Sequence, residues 1–193
     1  MKIASALAGS LITVFSSTCV LAADRASAWV EASLEYMTPS RGDRQIDTTN
    51  LHVLFGKKPA DSSRWQYGLG FTLTNADGHM EREEAGVNRR YGTGAWGAGP
   101  AMQVRWAAWQ GNSASLWLQA SGAVLLYSED FPYGGDRYNF MWRAGPALQF
   151  KLGQAATLNL QYHWMHVSNG QGTGDHNPAY DAHGASLGVS MPW

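Results

Sequence analysis

From residue 28 to residue 193 the chain repeats one pattern: an apolar side chain at every second position. In residues 28–37, Val30, Ala32, Leu34 and Tyr36 alternate with Glu31, Ser33 and Glu35. In residues 65–74, Trp65, Tyr67, Leu69, Phe71 and Leu73 alternate with Gln66, Gly68, Gly70 and Thr72. A β-strand sends successive side chains to opposite faces, whereas a helix brings them back every three or four positions. This period therefore predicts strands with one apolar face and one polar face. Residues 49–55, 99–109, 115–127, 138–151, 157–168 and 181–193 carry the same alternation, which makes eight strands and an all-β fold.

A soluble sandwich also alternates, so the contents of each face and the ends of the strands decide between architectures. The non-apolar face carries Gln66, Gln103, Arg105, Gln119, Asn139, Arg143, Gln149, Asn159 and Gln161. Those are large polar groups suited to the inside of a small barrel. Tryptophans 29, 65, 106, 109, 142 and 164 lie near stretch ends, where aromatic girdles meet the two edges of a bilayer. The last residues, Val189-Ser190-Met191-Pro192-Trp193, form an alternating strand closed by an aromatic, similar to the C-terminal signal of bacterial outer-membrane proteins. Connections alternate in length: residues 57–63, 110–114 and 152–156 are tight, while 38–47, 75–92, 128–137 and 169–180 are longer and more polar. That rhythm fits an eight-stranded antiparallel transmembrane barrel of the outer membrane, with periplasmic turns and extracellular loops.

The N-terminus opens on Met1-Lys2, continues apolar from Ile3 to about Phe15, and reaches Val20-Leu21-Ala22-Ala23-Asp24. A positive start, a short apolar core and small residues at a cleavage point predict a secretory signal peptide over residues 1–22, too short for a retained membrane helix. The remaining residues, 23–193, form a single domain. Cys19, the one cysteine, lies in the leader behind Ser16-Ser17-Thr18 rather than a leucine-led lipobox. The mature chain then holds no thiol for a disulfide, a metal site or a nucleophile. Lys2 is the only charged residue of the leader, so its removal takes the formal charge from −1 to −2. A charge of that size offers nothing for nucleic acid to bind.

The chemistry concentrates in His166-Val167-Ser168-Asn169-Gly170. Two residues apart on a strand, His166 and Ser168 share a face, which sets a base beside a hydroxyl. In residues 157–168 the apolar side chains Leu158, Leu160, Tyr162 and Trp164 are even-numbered, so the same parity turns His166 and Ser168 toward lipid. In the last strand Leu187, Val189 and Met191 are odd, and so is Asp181. All three residues therefore point away from the barrel at its extracellular end. An antiparallel pairing across residues 169–180 sets Asp181 near His166 or Ser168, where it could orient the imidazole. Polar groups on a lipid-facing surface are costly, and their clustering there points to function. Asn169 and Gly170 could supply an amide and backbone N–H groups to an oxyanion. His183 shares the outward face and lines the same area. His163 points into the barrel, His176 lies in the loop, and Asp175 is an alternative acid without support from parity. No metal-ligand spacing occurs, so neither a metal nor another cofactor is expected.

These residues carry a resemblance to the lipid A 3-O-deacylase family of Gram-negative outer membranes. Its members are eight-stranded barrels with an H-x-S-N motif near the end of the seventh strand and an acid at the start of the eighth. Here the motif is His166-Val167-Ser168-Asn169, and Asn177-Pro178-Ala179-Tyr180-Asp181 looks like the turn into the acid. The resemblance implies Ser168 as nucleophile, His166 as general base, Asp181 as the orienting acid and Asn169 at the oxyanion hole. It also implies lipid A, or whole lipopolysaccharide, as substrate in the surrounding outer-membrane lipid. The residues leave a homodimer open. The chain departs from the family pattern at Gly170-Gln171-Gly172 and at Ala179, where a glycine is common. Outer-membrane phospholipase A has a related H-x-S-N-G motif, but with an asparagine as third member, twelve strands and calcium. A non-enzymatic small barrel is the alternative from another class.

Overall fold

The computed structural model describes residues 28–40, 42–58, 64–170 and 177–193. The leader predicted over residues 1–22, with Cys19, and the loop residues Asp175 and His176 lie outside them. Eight strands follow one another: β1 (Ala28–Pro39), β2 (Arg44–Lys57), β3 (Trp65–Glu84), β4 (Val87–Gln110), β5 (Ala114–Phe131), β6 (Asp136–Leu152), β7 (Ala156–Ser168) and β8 (Tyr180–Pro192). Each pairs antiparallel with its sequence neighbours, and β8 returns to β1, closing the sheet. Closure leaves no free strand edge, so every ladder hydrogen bond is made within the sheet, as a bilayer demands.

The outer face distinguishes this barrel from a soluble one. Leu69, Met102 and Leu126 are 68%, 59% and 65% exposed, in company with Phe71, Leu118 and Leu187. In water such a belt would far exceed the apolar patches that monomers tolerate. Against acyl chains it is the expected surface. The polar residues assigned to the interior are buried there, apart from half-buried Gln66.

The interior of an eight-stranded barrel is just wide enough for side chains to fill it. Toward the periplasmic end the filling is ionic. Arg105 forks onto Glu31 with two bonds of 2.7 and 2.6 Å, while Asn159 and Gln161 donate to the same carboxylate. Glu35 accepts from Arg143 at 3.0 Å and from Asn50 at 2.8 Å, and it is also bonded to His163 and His52. Toward the extracellular end the filling is apolar: Met37, Ile46, Leu125, Phe131, Met141, Met165, Val167 and Tyr180 form one buried cluster.

Two expectations are corrected, for Trp29 and for the longer connections, and one, for Trp109, is met by an unforeseen route. Trp29 is not a girdle residue; its ring lies inside, under the Arg105 guanidinium at 5.6 Å. Trp109 does face outward, but only because the β4–β5 register slips between Ala107 and Trp109, reversing the parity from there to the end of β4. The segments at 38–47, 75–92 and 128–137 are mostly strand rather than loop: β3 and β4 run on as a ladder to Glu84↔Val87. Between them Ala85 and Gly86 turn with positive φ of 53° and 78°.

Candidate active site

β7 and β8 present the site on their outer faces. His166 and Asp181 are direct cross-strand partners, and His166 Nδ1 lies 2.8 Å from Asp181 Oδ1. Both side chains are partly covered, 31% exposed for His166 and 13% for Asp181. With Nδ1 bound to the carboxylate as a donor, the imidazole keeps its acceptor on Nε2. Trp164, one step down the strand, stacks on His166 with ring centroids 6.0 Å apart. Trp142 on β6 is the cross-strand partner of His166 on its other side.

Ser168 stands one step beyond His166 on the same face, opposite Phe140 of β6. Residues i and i+2 of a strand are about 7 Å apart at their Cα atoms. No hydrogen bond joins Ser168 Oγ to the imidazole in this conformation. Catalytic hydrogen bonds often tighten only when substrate is bound.

The inner faces of the same strands explain why this edge is held in place. Met165, Val167, Tyr180 and Ala182 alternate with the site residues and are fully buried in the extracellular apolar cluster. The Tyr180 ring meets Phe131 edge-on at 5.7 Å. One strand pair thus has a packed inner side and an outer side that carries the candidate residues.

Asn169 continues the parity inward and is 2% exposed. Its side-chain amide donates to Asp136 Oδ2 at 2.9 Å, and its backbone N–H donates to Asn177 Oδ1 at 3.2 Å. In this state the amide ties the loop to the start of β6 instead of facing Ser168. Gly170 follows in the left-handed region at φ +68°, and a Cβ there would press on the Phe140 ring at 3.2 Å. Either restriction selects glycine.

His183 lies on the outer face next to Asp181, as parity predicts, and is exposed. Its Nδ1 is 3.1 Å from Ser40 Oγ. Sequence reasoning missed the partners that hold the site: Asp136, Asn177 and Ser40. Ser40 follows β1, Asp136 opens β6 and Asn177 precedes β8, and no spacing along the chain links them to the motif. Trp142 and Trp164 are recognisable as lipid-edge aromatics, but their place beside His166 needs the register. Among the described residues no three His, Cys, Asp or Glu side chains converge to hold a metal ion.

The fold resembles that of Neisserial surface protein A, at 12% identity over 86% of this chain and 97% of that one, with a TM-score of 0.57. The outer membrane enzyme PagL aligns at 19% identity over 86% of this chain and 99% of that one, with a TM-score of 0.48. No curated protein matches the chain by sequence. The model of the PagL family, lipid A 3-O-deacylases, matches residues 60–190. That span begins before β3, runs through nearly all of β8 and includes His166, Ser168 and Asp181. A closed barrel with an apolar belt is an outer-membrane architecture, and the protein resides in that membrane. With most of its length matched, the chain belongs to the lipid A 3-O-deacylase family.

Proposed function

We propose that the protein is a serine esterase that removes the acyl chain ester-linked at position 3 of lipid A, remodelling lipopolysaccharide in the outer leaflet. The observation that carries this is the 2.8 Å bond between His166 and Asp181 on a face turned to lipid. Polar and ionisable groups are expensive there and are retained for function. The pairing is also what a general base requires from its orienting acid.

Ser168 Oγ attacks the ester carbonyl while His166 Nε2 takes its proton. Asp181 holds the imidazole by its other nitrogen and stabilises the positive charge that develops. The backbone N–H of Gly170 donates to the oxyanion, and Asn169, tied to Asp136 and Asn177, fixes where that N–H points. Collapse of the tetrahedral intermediate returns the proton from His166 to the departing sugar oxygen and leaves an acyl-Ser168 ester. Water then attacks that ester by the same route, releasing the fatty acid and restoring the hydroxyl.

Mass spectrometry of lipid A and phospholipids from cells expressing the wild type and Ser168→Ala tests the assignment. The expected result is lipid A lighter by one hydroxyacyl chain in the wild type only, with both barrels heat-modifiable on gels. Lysophospholipid in place of deacylated lipid A points to a phospholipase. Unchanged lipids point to a barrel without this activity.

A further inference from the structure

The ester attacked by Ser168 has an alkyl chain on one side of its carbonyl and a sugar oxygen on the other, and the barrel surface around the triad is asymmetric in the same sense. On the β6 side, Ser168 adjoins Phe140 and His166 adjoins Trp142. Beyond them the register continues through Val124 and Gly122 of β5 to Met102 of β4 and Leu69 of β3. Those residues line an apolar groove on the outside of the barrel. An acyl chain is the half of the ester that such a groove suits.

On the β1 side the surface is polar. His183 sits between Trp164 of β7 and Thr38 of β1. Ser40 Oγ contacts its Nδ1 at 3.1 Å, and Thr38 Oγ1 donates to its backbone carbonyl at 3.3 Å. The Ser40 backbone N–H donates to the Asp181 carbonyl at 2.9 Å, so the rim beside β1 is fastened to the strand that carries the acid. The cost of placing an ionisable ring on this face applies to His183 as it does to His166. Nothing in the proton transfers at Ser168 uses it. The Ser40 hydroxyl can donate to Nδ1, and in that tautomer the ring presents Nε2–H as a donor.

We infer that His183 binds the alcohol half of the ester, donating Nε2–H to an oxygen of the phosphorylated sugar headgroup while the acyl chain lies in the groove on the β6 side. In this arrangement the Ser40 hydroxyl donates to Nδ1, leaving the ring proton on Nε2. The acceptor is a phosphate oxygen or a sugar hydroxyl, the same chemistry from two places on one lipid. This rests on the esterase assignment above and adds the orientation of the substrate.

The test compares kcat/KM of the wild type, His183→Ala, His183→Gln and Ser40→Ala in detergent. The substrates are lipid A, dephosphorylated lipid A and a sugar-free p-nitrophenyl acyl ester. His183→Ala should lower kcat/KM on lipid A about tenfold more than on the sugar-free ester, mainly through KM, the effect of one hydrogen bond to a polar or charged group. His183→Gln, which keeps a donor, should recover part of the loss, and Ser40→Ala should show a smaller loss of the same kind. An extra loss that disappears on dephosphorylated lipid A identifies phosphate as the acceptor; one that persists identifies a hydroxyl. Equal losses on lipid A and the sugar-free ester, or no change in KM for lipid A, overturn the inference. A wild type inactive on all three substrates would instead strike the esterase assignment itself.

Discussion

At the scale of residues, the three candidate catalytic groups differ in how much depends on each. Ser168 has no substitute. In the proposed mechanism Asp181 acts through His166, and removing the corresponding aspartate of serine proteases costs about 10⁴-fold in turnover. Beside a wet rim the loss should be somewhat smaller, so Asp181→Asn is expected to lower turnover by about 10²–10⁴-fold. Asp181→Glu should keep partial activity, and Asp175→Asn should behave nearly as wild type. Steady-state rates on lipid A check all three, and a crippled Asp175→Asn beside an unimpaired Asp181→Asn would sink the assignment of the acid. The shared outward face of His166, Ser168 and Asp181 could be read from the sequence, because parity fixes which face a strand residue takes. Asp136 and Asn177 could not, since they reach Asn169 across gaps in the chain that no periodicity encodes. Asp136→Ala removes one tie on the Asn169 amide, and a fall in kcat with little change in KM is the expected result.

Elements explain the rest of what could and could not be foreseen. Alternation marks strands only where the two faces meet different solvents, and above the bilayer they do not. The run Glu81-Arg82-Glu83-Glu84 therefore reads as loop, although it pairs with Val87-Asn88-Arg89-Arg90 and carries the Glu81–Arg90 ion pair at 2.9 Å. Alternation is also silent where both faces are apolar, as at Leu125 and Met141, so the sequence hides the greasy upper lumen and suggests a wholly polar interior. That cluster includes the inner side of β7 and β8. Phe131→Ala, which opens a cavity there, should cost about 3–5 kcal/mol. Denaturant unfolding in detergent measures the loss, and activity should fall with it. The outward parity has its own check: cysteine at Leu160 should react with a membrane-confined probe, and cysteine at Gln161 should not.

For the molecule as a whole, the lumen is a packed core in two layers. Removing one partner of a buried ion pair leaves an uncompensated charge, typically a loss of about 3–5 kcal/mol, whereas replacing both partners is far milder. Arg105→Met should accordingly destabilise the barrel strongly, and adding Glu31→Gln should restore much of the loss, both read from unfolding midpoints in detergent. A filled lumen also agrees with the proposed working surface on the outside of the barrel, bordered by Trp164, Trp142 and Phe140. Its substrate thus arrives from a two-dimensional film, and the relevant abundance is the mole fraction of lipid A in the film touching β7 and β8. Adding inert detergent at constant total lipid A should slow the reaction by surface dilution, whereas adding more mixed micelles of unchanged composition should leave the rate per enzyme constant.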